Sequence, residues 1–195
     1  TRMELQAFAD YWCYRGRGKY YLSAITFENT YQNANLCNAT SPAVLLPEGT
    51  LASGKRILAA LLANDDEEQW TEAELITHTN HLDITPTISN LVDRDIASSK
   101  RHSEIHALNN SLKIVKSRLM TNQPAIALIE PKHKTKPILI LGYNDDKRQL
   151  TILKSPTEKP ETIGYEEFCK IWTIRFEKNY YQQLIVWTPK TNPDI

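Results

Sequence analysis

Apolar and polar positions follow two periods along this 195-residue chain, and each predicts a different kind of element. Ser53–Ala63 carries Ile57, Leu58, Leu61 and Leu62 at three- and four-residue spacing, which predicts a helix. Thr71-Glu-Ala-Glu74 is a capping box ahead of Leu75 and Ile76, so a second helix opens there. Glu104–Met120 places Leu108, Leu112, Val115 and Leu119 on one face of a third, and Asn122-Gln-Pro124 breaks it. Cys37–Leu46 reads as a short buried helix, with Pro42 tolerated near its first turn and Pro47-Glu-Gly49 closing it. Tyr165–Trp172 reads as another short helix.

The strand signals gather in the last third. Ala125–Ile129 is a short apolar run, and Pro137–Tyr143 is apolar without a break, as expected of a strand buried on both faces. Asn144-Asp-Asp-Lys147 turns it into Gln149–Leu153, a hairpin, and Gln182–Thr188 closes the chain as a strand. Tyr20–Phe27 adds an early β-rich segment. Asn80–Ser99 has no clear period and carries Pro86, so a loop is expected there, with a strand near Ile84–Ile88. Helices first and an antiparallel sheet afterwards predict an α+β domain.

Composition sharpens this picture mainly by exclusion. Apolar residues are 41% and charged residues 24%, the balance of a globular chain long enough to bury a core of its own. The 23 basic and 23 acidic side chains cancel, which argues against nucleic acid as a partner. No apolar run approaches the roughly 18–20 residues of a membrane span. Cys13, Cys37 and Cys169 are odd in number and widely spaced, so neither a disulfide framework nor a zinc site is signalled. A reducing compartment, cytoplasmic or reached by delivery, is the simplest reading, and the compartment itself stays open. No cofactor or metal is expected, and membership of a larger protein or complex stays open.

One segment carries candidate chemistry. In Gln32-Asn-Ala-Asn-Leu-Cys37, a thiol near a helix N-terminus would sit in the positive end of the dipole, which favours thiolate. A glutamine shortly upstream can point its amide at a developing oxyanion. The plain alternative is a small buried Cys37 and a polar loop Gln32.

The order of motifs from there is more specific than any one of them. Gln32…Cys37-x-x-Thr-Ser-x-Ala-x-x-Leu46 is followed by the Thr71–Leu82 helix and Asn122-Gln-Pro124. Then come Pro137-Ile-Leu-Ile-Leu-Gly-Tyr143, Ile152-Leu-Lys-Ser-Pro156 and Tyr165-Glu-Glu-Phe168…Trp172. This series resembles the papain-like peptidase C39-like family from about Leu22 to Pro189. The resemblance implies a helical half packed on an antiparallel sheet over residues 22–195, with the aromatic-rich residues 1–21 as an extension. It puts Gln32 on the oxyanion glutamine and Cys37 on the nucleophile.

Two slots depart from the family. Its general-base histidine precedes the apolar strand, where this chain has Lys136, and its orienting aspartate precedes a proline after the second strand, where this chain has Ser155. A lysine ammonium is a poor proton shuttle at neutral pH, and a serine cannot stabilise an imidazolium as a carboxylate does. The expectation is a degenerate peptidase that acts by binding a peptide or protein. The alternative is an active cysteine peptidase, thiol hydrolase or acyl-transferase using His133 or Lys136 as base, with Asn144, Asp145 or Asp146 as orienter of His133. His102 and His106, and His78 and His81, are read as solvated or dipole-stabilising rather than as metal ligands. Lys132, Lys134, Lys136, Lys147, Arg148 and Lys154 are expected to cluster on the hairpin as a soluble edge or a basic patch.

Overall fold

The computed structural model describes residues 43–64, 71–92, 100–132, 134–172, 174–176 and 179–190. Its backbone contacts divide the chain into two compact units, Thr1–Val44 and Leu45–Ile195. The expected strand at Tyr20–Phe27, the start of the helix expected at Cys37–Leu46 and the domain boundary near residue 21 lie outside the described residues.

Where the Cys37–Leu46 helix was expected to end, Ala43–Leu45 forms a strand, β1. The physical reason is the pair of flanking prolines. Pro42 offers no N–H, and Pro47 biases Leu46 toward extended backbone. Pro47-Glu-Gly49 does not close a helix but opens one: Pro47 is the N-cap of α1, Glu48–Leu62. The N–H and hydroxyl of Thr50 both donate to the Pro47 carbonyl, at 3.1 and 2.7 Å. Helix α2 spans Glu72–Thr79 and has the expected capping box. Thr71 Oγ1 accepts from the Glu74 N–H at 3.2 Å, and Glu74 Oε2 accepts from the Thr71 N–H at 2.9 Å.

After α2 the strand expected near Ile84–Ile88 forms and is two residues longer: β2 runs Ile84–Asn90, and residues 93–99 of the expected loop lie outside the described residues. It pairs with β9, Gln183–Pro189, with Pro86 opposite Trp187. Proline is compatible with a strand at the edge of a sheet, and β2 lies at one end of the strand order. Six strands follow in the order β2-β9-β3-β4-β5-β6, where β3 is Ala125–Ile129, β4 Lys136–Asn144, β5 Gln149–Leu153 and β6 Glu161–Gly164. These five pairings are antiparallel, so the architecture is α+β as expected. The helical half also supplies a strand, β2, to the sheet.

All five residues of β3 and the seven from Pro137 to Tyr143 of β4 are buried, which requires cover on both faces of the sheet. Helix α1 covers one. Its Gly54 lies against Leu139 and Trp187, and the Trp187 indole N–H donates to Ser53 Oγ at 3.0 Å. Register puts Ile126 opposite both Leu139 and Ile185, so these share the face under α1. In β4 the register shifts between Ile140 and Gly142, and the carbonyl of the intervening Leu141 accepts the Leu46 N–H at 2.8 Å.

The third expected helix is interrupted. Lys100–His106 is α3, Ala107–Ser111 is a π turn, and Leu112–Met120 is α4. Ser103 and Ser111 are both fully buried against Gln182. The Gln182 amide nitrogen donates to the Ser103 carbonyl at 2.7 Å and to Ser103 Oγ at 3.1 Å, while the Ser111 hydroxyl donates to Gln182 Oε1. Positions eight apart drift by about 80° on an α-helix of 3.6 residues per turn. The wider π turn takes up that drift and points both serines at one amide. It also moves Leu108 off the expected apolar face. Ala107, Leu112, Val115 and Leu119 are in the core, while Leu108 is only half-buried.

Tyr165–Ile171 forms α5, capped by Trp172. Phe168 and Trp172 are fully buried with ring centroids 4.8 Å apart, and the Trp172 indole N–H donates to the Gln183 carbonyl at 3.0 Å. Ile174–Phe176 and Asn179–Tyr181 pair as a separate two-stranded ribbon, β7 and β8.

Two glycines of α1 give opposite expectations. A Cβ on Gly54 would lie 2.8 Å from a methyl of the fully buried Leu139 and 3.2 Å from the Trp187 ring, whereas one on Gly49 meets nothing within 4 Å. Gly54→Leu is expected to destabilise the fold by about 1–3 kcal/mol through overpacking. Gly49→Ala is expected to be neutral or to stabilise it by up to about 1 kcal/mol. Urea denaturation of the two variants checks both signs.

Candidate functional site

The sequence-derived site is only partly within the described residues: Gln32, Cys37 and His133 lie outside them. Lys136 is the first residue of β4 and is exposed. Ser155 follows β5, its Oγ 3.1 Å from Thr157 Oγ1 and accepting from the Thr157 N–H at 3.4 Å. Leu153 pairs with Leu139, so Ser155 stands two residues beyond the last pair. Lys136 and Ser155 therefore come to the same end of the β4–β5 hairpin.

The other end of the hairpin holds a second polar assembly. Strand β4 has nine residues, which at ~3.4 Å per residue separates its ends by about 27 Å. Asp145 and Asp146 begin the turn at the far end of β4 from Lys136. The Lys116 ammonium and the Tyr165 hydroxyl both donate to Asp145 Oδ1 at 2.7 Å. The expected basic cluster is divided for the same reason: Lys132, Lys134 and Lys136 lie at one end and Lys147 and Arg148 at the other. Lys154 forms an ion pair with Glu161 at 2.8 Å across β5 and β6.

Around Asp145 is a cleft of about 350 Å³. Leu108 and Asn109 of the π turn and Leu112, Lys113 and Lys116 of α4 form one wall, and Asp145, Arg148 and Tyr165 form the other. Arg148 closes the hairpin turn with φ 51°, and its carbonyl accepts the Tyr165 N–H at 2.9 Å. Its guanidinium binds Glu166 Oε1 through Nε, at 3.1 Å, and through a terminal nitrogen. That pair holds the Glu166 carboxyl below the usual carboxylate range, the hydrogen bond from Arg148 being the main cause. The Lys116 ammonium lies 5.3 Å from the Tyr143 ring centroid and 5.6 Å from that of Tyr165, and the Arg148 guanidinium lies 5.6 Å from the latter. Burial, and then the bond to Asp145, push the Tyr165 phenol well above its ordinary range, so it stays a proton donor.

Sequence reasoning missed this cleft because its residues come from three separate segments. The one available signal was Asn144-Asp-Asp-Lys-Arg148, which reads as a turn, as candidate orienters of His133 and as part of a basic cluster. Elsewhere, His106 Nδ1 lies 3.1 Å from Ser111 Oγ, and among the described residues no group of three or more His, Cys, Asp and Glu side chains is arranged to hold a metal ion. No helix among the described residues is long and apolar enough to cross a membrane. No protein-family model and no curated protein matches the chain.

The Tyr165–Asp145 bond predicts an alkaline effect of defined sign. A phenol whose ionisation is raised by folding contributes stability fully below its unfolded value near ~10, and the contribution is lost as the pH rises above it. Wild-type protein is expected to lose stability between pH 10 and 11.5 more steeply than Tyr165→Phe, with tyrosinate absorbance identifying Tyr165 as a late-titrating phenol.

Proposed function

We propose that residues 22–195 form a papain-like, C39-like peptidase domain whose catalytic base and orienter have been replaced, and that it acts by holding an extended peptide or protein segment. The observation that supports this reading is that Lys136 and Ser155 lie toward the same end of two adjacent antiparallel strands. A base and its orienter have to come together, and these two slots share one end of the hairpin although 18 residues separate them in sequence. The residues that fill them supply neither an imidazole nor a carboxylate. A thiol such as Cys37 then has no ordinary proton acceptor and no acid for a leaving amine. The antiparallel sheet with helices packed on it is the architecture the resemblance calls for, and the sum of the motifs covers most of the chain.

The test uses the full chain with a panel of fluorescent extended peptides and with a peptide thioester. Binding without turnover, retained in Cys37→Ala, is the expected result. Hydrolysis or a trapped acyl-thioester that disappears in Cys37→Ala would overturn the degenerate reading in favour of a thiol enzyme using His133 or Lys136. Failure of the whole panel to bind would overturn the peptide-holding role. Mapping of iodoacetamide adducts at pH 7 adds an internal reference. Cys169 is 2% exposed and its thiol is pushed up to about 12 by burial, so it is expected to stay unmodified in the folded chain.

A further inference from the structure

The cleft at the turn end of the β4–β5 hairpin has a composition that selects its ligand. We infer that it binds a small organic monoanion, a carboxylate carrying an apolar tail. Its volume of about 350 Å³ lies at the lower end of the range occupied by small-molecule sites. The half-buried Leu108 and the more deeply buried Leu112 offer apolar surface, while Lys113, Lys116 and Arg148 make the polar lining predominantly cationic.

The sign of the ligand follows from the balance of the fixed groups: Lys113, Lys116 and Arg148 stand against the carboxylates of Asp145 and Glu166, a positive excess among these five. Asp145, the carboxylate of the lining, accepts from both Lys116 and Tyr165, so it is engaged by donors of the protein itself. The rings of Tyr143 and Tyr165, which would otherwise attract a cation, are already approached by Lys116 and Arg148. A cationic ligand would meet like charge at those rings. An anion meets the Arg148 guanidinium, of whose five N–H donors Glu166 engages those on Nε and one terminal nitrogen.

Two departures from regular backbone meet at this cleft. The π turn brings Leu108 and Asn109 to its wall. Arg148 holds a left-handed backbone conformation that glycine or asparagine would adopt with less strain. An arginine there retains its side chain at the rim despite that strain, and π turns and such residues occur often at functional sites. The inference does not draw on the proposed peptide-binding function: Lys136 and Ser155 lie at the opposite end of the hairpin from this cleft.

Titration of the ¹⁵N-labelled full chain with hexanoate tests it, with hexylammonium and inorganic phosphate as comparison probes. Saturable millimolar binding of hexanoate, with shifts centred on residues 108–116 and 145–148, is expected, and at least tenfold weaker binding of the other two. Arg148→Gln should weaken hexanoate at least tenfold, and Arg148→Gly, which suits the left-handed backbone, should do the same. Glu166→Gln releases the guanidinium and should tighten binding several-fold. Equal binding of hexylammonium or phosphate, no saturable hexanoate binding, or an affinity within twofold of wild type in both Arg148 variants would overturn the assignment. So would weaker binding in Glu166→Gln.

Discussion

Burial of the β3–β4 pair on both faces is the constraint on which the other elements depend. Two adjacent strands with 12 buried positions between them cannot face water on either side. Each fully buried Leu or Ile contributes roughly 1.5–3 kcal/mol relative to exposure, and leaving either face uncovered would forfeit several of them at once. Helix α1 must therefore lie flat on the Leu139 face, and it comes close enough that Gly54 is in contact with the sheet's side chains. The C-terminal strand β9 must return beside β3, and it carries β2 with it at the edge.

The second organising feature is polar. Gln182 is fully buried, and an unpaired amide there would be costly. Ser103 and Ser111 satisfy its side chain, and the Leu91 N–H donates to its carbonyl at 3.0 Å. Meeting that demand with one helix requires a change of phase, which the π turn provides. The same change releases Leu108 from the core and gives the turn-end cleft part of its wall. A core requirement and a surface feature thus share one backbone irregularity.

The hairpin of β4 and β5 keeps two groups of polar residues apart. At one end Lys136 and Ser155 occupy the slots in which the resemblance expects an imidazole and a carboxylate. At the other, Asp145, Lys116, Tyr165 and Arg148 form a connected set whose groups fix one another's geometry. The strand between them is too long for a charge at one end to act directly on the other at physiological ionic strength, where screening sets in at ~8 Å. The lysines that look like one cluster in sequence are therefore two.

Local pattern by itself determined the helices α1, α2 and α5, the strands β3, β4, β5 and β9, and the turn at Asn144–Lys147. Each is marked by a period, a cap or an unbroken apolar run, signals that act within a few residues of each other. Tertiary structure decided what depends on distant partners. The strand at Ala43–Leu45 and the length of β2 are such cases, since extended backbone there is stabilised by contacts remote in sequence. So are the π turn, which exists because Gln182 needs two serines eight residues apart, and the edge strand β6, whose polar sequence carries little strand signal. The turn-end cleft belongs with them. Its charged and aromatic groups are each unremarkable in sequence, and only the packing of α4 against the hairpin turn gives them a common ligand to recognise.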